Sequence, residues 1–482
     1  MENSWIFLSL TCLATLAFLS KLFSRRQPSR RKLPPGPKPW PIIGNLHLLG
    51  PIPHQSFHSL SKKYGDLMLL KFGSRPVVVA SSPEMAKQFL KTHDAVFASR
   101  PLHAGGKYTS YNYQDMTWAP YGPYWRQARR IYLNEVFSTR RLDSFEHIRV
   151  HERRSFLNTL KSLSGNPVFL KDHLSRFSLC TMSKMVLSNK YFSEPEAEGS
   201  VVTASFPCHH SNPTAEVEES VVGACFSGDH PNPIAEAASF PRHHPNPITE
   251  AKEFVVAASF FGHQPNLTTE AEGSSAVTLE DLQRLVDQWF LLNGAFNLGD
   301  WLPWLSFLDL QGYVKQMKEL NRVFDRFHNI VLDDHMAKKK EAEEKNDGFV
   351  PKDMVDVLLQ MAEDPNLEVK LTKDCVKGLV QDLLTGGTDS LAAAVGWAFQ
   401  ELMRKPDIIA KATEELDREI GRERVVRATL ANMLHGFTWK LPPDMKPEDI
   451  SMEEHYGLTT HPRFPIPLIM EPRLPSHLYS QS

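Results

Sequence analysis

The run Leu384-Thr385-Gly386-Gly387-Thr388-Asp389-Ser390 lies within a long apolar stretch that has helical spacing. A glycine inside a helix costs roughly 1 kcal/mol relative to alanine, so two adjacent glycines in a buried helix need a physical reason. One reason is a bulky planar ligand that lies against the helix where side chains are missing. Asp389 and Ser390 would then supply an acid and an alcohol for proton transfer. The alternative is a close helix–helix crossing with Asp389 as a capping residue.

Two further motifs precede this stretch. A proline-rich segment, PPGPKPWPIIGN at 34–45, follows a basic cluster, and YGPYWRQARR at 121–130 opens another segment with helical spacing. Trp125 and Arg129 are four residues apart and therefore share one helix face. An arginine fork and an indole N–H together suit a carboxylate. The alternative is an amphipathic helix with Trp125 in the core and Arg129 in solvent.

These three motifs and a C-terminal region, from LANMLH at 430–435 to EPRLP at 471–475, occur in the order typical of one enzyme family. The sequence resembles the plant microsomal cytochrome P450 monooxygenases, and the flavonoid-hydroxylase-like and terpenoid-modifying branch is most similar. The resemblance covers most of residues 1–200, 279–426 and 428–475. It implies a mainly α fold with a small β part, haem as the cofactor, and insertion of one oxygen atom from O2 into an apolar plant metabolite.

The resemblance also implies roles for individual residues. The positions that match haem contacts and proton delivery are Trp125 and Arg129 at a propionate, Gly386 and Gly387 beside the haem, and Asp389 with Ser390 as the proton-guiding pair. Two loops match segments that line the substrate pocket, and they contribute Leu102, Tyr108, Leu458 and Thr459. Electrons would come from NADPH–cytochrome P450 reductase. The identity of the substrate does not follow from these loops.

The haem ligand of the family is missing from this sequence. That ligand is a cysteine in a Phe-x-x-Gly-x-Arg-x-Cys-x-Gly loop, and its thiolate pushes electron density onto the iron and favours O–O cleavage. The sequence contains no such loop, and its five cysteines are Cys12, Cys180, Cys208, Cys225 and Cys375. The sequence therefore predicts an incomplete cytochrome P450-type fold, with no metal ligand assigned.

The missing segment can be placed between Val426 and Ala428. Residues 406–426 resemble the family helix that follows the glycine pair, whereas the residues from Arg427 onward resemble the helix that follows the cysteine loop. Roughly a hundred residues of family pattern are absent here, about the size of a small domain. Because native domains have only ~5–15 kcal/mol of net stability, we expect the remaining fold to be partial or unstable.

The N-terminus predicts a membrane anchor. Residues 5–23 are almost uninterruptedly apolar, close to the ~20 residues that a spanning helix needs. Basic residues follow at 25–32, whereas Glu2 is the one charged side chain before the run, which favours a cytosolic globular part. We therefore predict a single-pass anchor at 1–24 in the endoplasmic reticulum membrane, in contact with lipid, and a stiff proline-rich hinge at 25–50. A cleaved signal peptide is the alternative, but its basic residues would precede the apolar run.

An internal repeat interrupts the family pattern. The unit SFPCHHSNP at 205–213 recurs in altered form at 225, 239 and 259, which defines an insert at 204–278. Its Asn-Pro and Pro-Asn steps favour turns, so we predict disorder. The histidines and cysteines suggest zinc, but paired ligand spacing is missing, and tandem duplication accounts for them. The remaining segments of the fold are 51–203, 279–426 and 427–482.

Composition and local patterns agree with a large intracellular fold. The chain has 482 residues, 41% of them apolar, and a formal net charge of −2, which gives no indication of a nucleic-acid partner. Residues 64–73 and 75–80 predict a hairpin with a turn at Gly73-Ser74, and residues 83–93 predict a helix. Two functions remain open: a membrane-anchored monooxygenase of which this chain is an altered version, or a non-catalytic anchored remnant or scaffold.

Overall fold

A computed structural model describes residues 11–16, 33–188, 278–345, 348–421 and 428–480. Nearly all of the repetitive insert, most of the apolar run at 5–23 and the junction at 422–427 lie outside these residues. Residues 11–16 are helical, and no helix in the described ranges is both long and apolar enough to cross a bilayer. The elements below belong to one compact unit, formed by residues 1–193 together with 273–482.

The first elements are helices around a two-stranded hairpin: α1 (Pro53–Tyr64), β1 (Leu67–Phe72), β2 (Arg75–Ala80), α2 (Pro83–Lys87) and α3 (Asp94–Phe97). Strands β1 and β2 are antiparallel, with Leu67 opposite Ala80. Gly73 has a φ of 55° at the turn, where glycine avoids backbone strain. The hairpin predicted from the sequence is confirmed, and a π-helical turn at Gln88–Thr92 continues the predicted helix.

The next elements are α4 (Ala104–Thr109), α5 (Pro123–Ile131), α6 (Thr139–Ser144), α7 (Glu146–Ser162), β3 (Val168–Phe169) and α8 (Leu170–Leu187). A proline in the first turn starts α5, where its missing N–H costs nothing, and a π-helical turn at Tyr132–Val136 continues it. The predicted loop at 102–115 therefore contains a short helix, α4. This differs from the expectation because Gly105 allows a close packing contact with a neighbouring helix, described below.

The central helices are α9 (Leu279–Gly294), α10 (Leu298–Trp301), α11 (Tyr313–Glu344), α12 (Met354–Ala362), α13 (Lys373–Gly386), α14 (Asp389–Arg404) and α15 (Pro406–Ile420). The side chains of Thr278, Asp353 and Thr372 accept backbone N–H bonds at the starts of α9, α12 and α13. Helix α11 has 32 residues and buries one stripe of large side chains at helical spacing. The fold is thus mainly helical with a small β part, as predicted.

The C-terminal elements are α16 (Thr429–Gly436), β4 (Phe437–Lys440), β5 (Glu454–His455), β6 (His461–Pro462), β7 (Pro467–Pro472) and α17 (His477–Ser480). Strand β7 lies between β3 and β4, antiparallel to both. Because β3 comes from the first half of the chain, this sheet fastens the C-terminus to the N-terminal part.

The helix with the glycine pair is not continuous, which corrects the expectation of one long helix. Helix α13 ends at Gly386 and α14 begins at Asp389. The hydroxyl of Thr388 donates to the Leu384 carbonyl at 2.6 Å. In a regular helix this carbonyl would accept a hydrogen bond from a backbone N–H instead. A helix is interrupted where side-chain groups replace its i→i−4 bonds, so the break falls at the predicted reactive motif.

One hydrophobic cluster contains residues from both sides of the junction at 422–427. Phe156 and Phe399 precede the junction, and Met433, Phe437 and Met470 follow it, and all five are buried in this cluster. The C-terminal region therefore packs into the same core as the preceding helices. The expectation of a partial or unstable fold stays a prediction about stability.

Candidate functional site

The two glycines of the central motif have different surroundings. A Cβ added at Gly387 would come within 2.6 Å of the Met182 side chain of α8, whereas a Cβ at Gly386 would meet nothing within 4 Å. The Ser178 hydroxyl of α8 also donates to the Gly387 carbonyl at 2.5 Å. The close-crossing alternative therefore holds for Gly387. Gly386 presents an exposed, open helix face, which is the arrangement expected beside a planar ligand.

Ser390 lies on the same open face as Gly386. Its hydroxyl donates to the Gly386 carbonyl at 2.9 Å, and both residues are exposed. The Ser390 hydroxyl therefore binds the backbone carbonyl one helical turn earlier, at the end of α13 where the helix is interrupted. A hydroxyl held in this way keeps two lone pairs to accept further hydrogen bonds, whereas its single hydrogen is engaged by the Gly386 carbonyl.

Asp389 is buried and points to the C-terminal part of the chain. Its carboxylate accepts a hydrogen bond from Nε2 of His461 at 2.8 Å and another from the hydroxyl of Thr459. Burial acts to raise the pKa of Asp389, but these two hydrogen bonds outweigh it and the pKa is lowered. Asp389 is therefore ionised at neutral pH and is not a capping residue. His461 was not predicted from the sequence.

Trp125 and Arg129 form the predicted pair on one face of α5. The guanidinium carbon of Arg129 lies 5.4 Å from the centroid of the Trp125 ring, a cation–π distance. Arg129 is exposed and Trp125 is half-buried. Because Arg129 is exposed, its guanidinium is accessible to an anionic group from the solvent side. The core-packing alternative applies only in part, since Trp125 is not fully buried.

The predicted pocket residues fall into two groups. Leu102 is exposed, and Tyr108 lies beside the ammonium groups of Lys107 and Lys318, 5.1 Å and 5.0 Å from its ring centroid. The structure places neither of these two side chains with Asp389, whereas Thr459 contacts it directly. More than half of the Leu102 surface is open to solvent, and its role in a substrate pocket stays a prediction.

The end of α9 brings the two pocket loops close together. The Asn293 side chain donates to the Thr109 hydroxyl of α4 at 3.1 Å, and a Cβ at Gly105 would lie 2.4 Å from its carbonyl oxygen. A Cβ at the adjacent Gly294 would lie 2.4 Å from the backbone nitrogen of Leu458. Sequence reasoning missed this helix end, because its only signal is an Asn-Gly pair at the end of an apolar helix.

A carboxylate on α13 holds the loop that leads into α5. Asp382 accepts backbone hydrogen bonds from Met116 at 2.7 Å and Thr117 at 3.2 Å, and the Thr117 hydroxyl donates to it at 2.8 Å. The Tyr132 hydroxyl donates to the Leu379 carbonyl of the same helix at 2.7 Å. Helix α5 is thereby held next to α13 on both sides.

Haem fits the described residues only in part. The open face at Gly386 and the Trp125–Arg129 pair suit a planar macrocycle and its carboxylate. None of the described cysteines supplies a thiolate at this face, and Cys208 and Cys225 lie outside the described residues. Cys375 is buried, hydrogen-bonded to Thr372 and Gln114, and eleven residues before Gly386, or about 16 Å along the helix. Cys180 is two residues from both Ser178 and Met182, so it lies on a different face of α8. Cys12 is exposed near the N-terminus.

His335, Asp353 and Asp356 form a second buried cluster, with potential ligand atoms within 4.8 Å of one another. His335 donates through Nδ1 to the Val331 carbonyl at 2.8 Å and through Nε2 to Asp353 at 2.8 Å. Burial acts to lower the pKa of His335, but the bond to Asp353 outweighs it and the pKa is raised. Since both ring nitrogens donate, the cluster is a buried ion pair that joins α11 to α12.

Comparisons with known proteins agree with this geometry. A family model described as cytochrome P450 matches residues 34–204 and 244–429. Trimethyltridecatetraene synthase from Zea mays is 29% identical, over 96% of this chain and 92% of its own length. Flavonoid 3'-monooxygenase from Petunia hybrida is 35% identical over 85% of this chain, which spans 63% of that relative.

A solved structure also resembles the fold. A zebrafish cytochrome P450 determined with progesterone has a TM-score of 0.50 and 17% sequence identity, over 78% of this chain and 65% of that one. At this identity the similarity concerns the fold alone. Since the family model matches most of the chain, the protein belongs to the cytochrome P450 family. The cofactor of this family is haem, its members act on small molecules with a redox partner, and the relatives indicate a monooxygenase of plant secondary metabolism.

Proposed function

We propose that the chain derives from a membrane-anchored haem monooxygenase that inserts one oxygen atom from O2 into an apolar plant metabolite, and that in its present form it is inactive. The observation that carries the proposal is the absence of the axial cysteine loop from a sequence that retains the other family motifs. When bound through a thiolate, haem supplies the oxygen-activating chemistry. Without that ligand, the proton-guiding roles of Asp389 and Ser390 would have no oxygen-activating chemistry to support.

The length of the alignment supports an internal loss of sequence. The alignment with the maize relative extends over 596 positions, whereas the chain has 482 residues, so at least 114 positions have no residue of this chain. An intact relative of this kind would receive electrons from NADPH–cytochrome P450 reductase. The names of the maize and petunia relatives favour a terpenoid or a flavonoid as the substrate of the intact form.

A second candidate is a non-catalytic anchored remnant or scaffold. The packing of the C-terminal region into the common core favours it, because a chain that folds can persist without activity. Full-length transcript sequencing across the Val426–Ala428 junction and the 204–278 insert separates the two. Transcripts that restore a cysteine loop would make this sequence a variant of a working enzyme, and the inactive form would be a by-product. Transcripts that match only this chain would favour the remnant.

We further propose attachment to the endoplasmic reticulum membrane through residues 1–24. Four large apolar side chains are exposed in two segments, with 59%, 42%, 55% and 80% of their surfaces accessible: Trp40, Ile42, Trp304 and Phe307. Both segments border the β1–β2 turn, because Gly73 donates to the Ile43 carbonyl at 3.0 Å and Ser74 donates to the Trp301 carbonyl at 3.1 Å. Apolar patches of this kind mark membrane or protein contacts.

Alkaline carbonate extraction of microsomes tests the attachment. A spanning anchor keeps the protein in the membrane pellet, and its removal by truncation of residues 1–24 shifts the protein toward the soluble fraction. Full release of the intact chain by carbonate would contradict an anchor that spans the bilayer.

A further inference from the structure

Asp115 is a buried acid without the partners that an ionised carboxylate needs. It is 1% exposed, and its Oδ1 accepts one hydrogen bond, from the Trp118 backbone at 3.0 Å. Its Oδ2 has no hydrogen-bond partner among the described residues, and neither does the hydroxyl of the equally buried Ser110. Buried polar atoms are seldom unpaired, so this arrangement requires an explanation.

The acid whose charge acts on Asp115 is Asp382, the carboxylate that holds Met116 and Thr117. Burial and the charge of Asp382 raise the pKa of Asp115 to about 8, and burial raises the pKa of Asp382 to about 6 despite its three donors. The titratable groups that interact with this pair are Tyr124 of α5 and Tyr132 of the π-helical turn, and Cys375 of α13 in turn interacts with Tyr124. None of these three can be a cation, so two ionised carboxylates would be uncompensated.

A proton is a better compensating charge here than a metal ion. Met116 and Thr117 direct two N–H groups and a hydroxyl hydrogen at Asp382, and N–H groups cannot act as ligands to a cation. Three donors of good geometry favour the ionised form of Asp382. Asp115 has one such donor, the Trp118 N–H, and although the nearby Ser110 hydroxyl acts to lower its pKa, burial and the charge of Asp382 outweigh this and favour its protonated form.

We propose that Asp115 and Asp382 are positioning residues, in which a neutral, protonated Asp115 allows an ionised Asp382 to fasten the 110–118 loop to α13. This attachment fixes the start of α5, because the Tyr124 hydroxyl donates to the Gln114 carbonyl at 2.8 Å. It thereby sets the position of the Trp125–Arg129 pair relative to the Gly386 face. The inference does not depend on haem binding, since its readouts are stability and amide exchange.

The pH dependence follows from the direction of both shifts. Because both pKa values are raised, the folded state holds more protons than the unfolded state between the ordinary carboxyl pKa near 4 and about 8. Stability therefore falls as the pH rises through this window. Above a pH of about 8 both acids are ionised, and the loop is repelled from α13.

The test uses the full chain in detergent or nanodiscs at pH values of about 7, where Asp382 is ionised and Asp115 protonated, and about 9. We expect the unfolding temperature of the unmodified chain to fall between these pH values, and Asp115→Asn to remove most of that fall. Asp382→Asn should accelerate amide exchange of the 110–118 segment about tenfold at the lower pH. A tenfold change in the opening equilibrium has the same free energy as a shift of one pKa unit. The matched control is Asp143→Asn, an exposed acid outside this contact, which should change neither readout.

The proposal would be overturned if the unfolding temperature of Asp115→Asn fell with pH as much as that of the unmodified chain. So would recovery of the stability at high pH on addition of Na⁺, K⁺ or Ca²⁺ to the unmodified chain, because a bound cation would then be the compensating charge. If Asp382→Asn fails to fold, the Asp115→Asn slope alone decides, because the amide is isosteric with the protonated acid.

Discussion

Asp389 shows what a single residue of the reactive motif does in this chain. The sequence places an acid beside the glycine pair, but its partners, Thr459 and His461, lie 70 and 72 residues further along the chain. No local pattern links such distant residues, so sequence reasoning could predict the acid and not its partners. Trp125 and Arg129 were predictable as a pair, because helical spacing alone sets their proximity.

Asp389→Asn should lower the free energy of unfolding by about 1–3 kcal/mol at neutral pH, because the buried acceptor of two hydrogen bonds is altered. The pKa of Asp389 is lowered, so its contribution is present above the unfolded carboxyl pKa of about 4 and is lost as the pH falls below it. Urea unfolding at neutral and acidic pH measures this change.

The control for Asp389 is Asp407→Asn, an exposed acid in the first turn of α15 with a long surface contact to Lys411 at 3.9 Å. It should change stability by no more than about 0.5 kcal/mol. Equal effects of the two substitutions would show that the contacts of Asp389 add no stability.

At the scale of elements, periodicity predicted the hairpin and the helices, whereas the interruption between α13 and α14 was not predicted. Glycine pairs carry no signal that distinguishes a close crossing from an open face. The structure shows both arrangements, one at each glycine, because Gly387 packs on α8 and Gly386 does not. The short helix α4 was missed for a related reason, since its packing on Asn293 overrides the weak helical propensity of Gly105 and Gly106.

Gly387→Ala should destabilise the protein by about 1–3 kcal/mol, because the added methyl group overlaps the Met182 side chain. Gly386→Ala is the matched control and should be neutral or slightly stabilising, because its Cβ enters open space and alanine favours helix. Thermal unfolding of both variants measures the difference. Met182→Ala combined with Gly387→Ala should recover part of the loss, and a strictly additive double variant would contradict the overlap.

The C-terminal strand is held by a specific ion pair. Arg473 donates to Asp417 of α15 at 2.8 Å and to the His435 carbonyl of α16 at 3.2 Å, and thereby links helices on both sides of the junction. Both side chains are mostly buried, at 15% and 22% exposure, so the pair is shielded from solvent.

Arg473→Ala should therefore cost about 1.5–3 kcal/mol, the usual loss for a partly buried, charge-assisted hydrogen bond. Lys440→Ala is the control, since the Lys440–Glu471 pair is more than half exposed and should contribute at most about 1 kcal/mol. Chemical denaturation compares the two variants. If Arg473→Ala and Lys440→Ala lower the free energy of unfolding equally, the contact of Arg473 across the junction is not a stabilising feature.

For the whole molecule, family membership was predictable because several motifs occur in a fixed order, and each reflects a local requirement of backbone or charge. The common core across the junction was not predictable. The loss of roughly a hundred residues suggested missing packing partners, but Phe399 and Met433 lie in one buried cluster. Which new contacts form across such a junction depends on tertiary packing and not on local sequence.

The most direct test of the proposed inactivity is the haem content of the full chain, purified after expression with excess haem. An intact family member produced in the same host is the positive control. Because no described cysteine lies at the open face of Gly386, we predict no stoichiometric haem and no thiolate-type absorbance after reduction and exposure to carbon monoxide. One haem per chain with a thiolate spectrum would contradict the proposal and would require an axial ligand from another part of the chain.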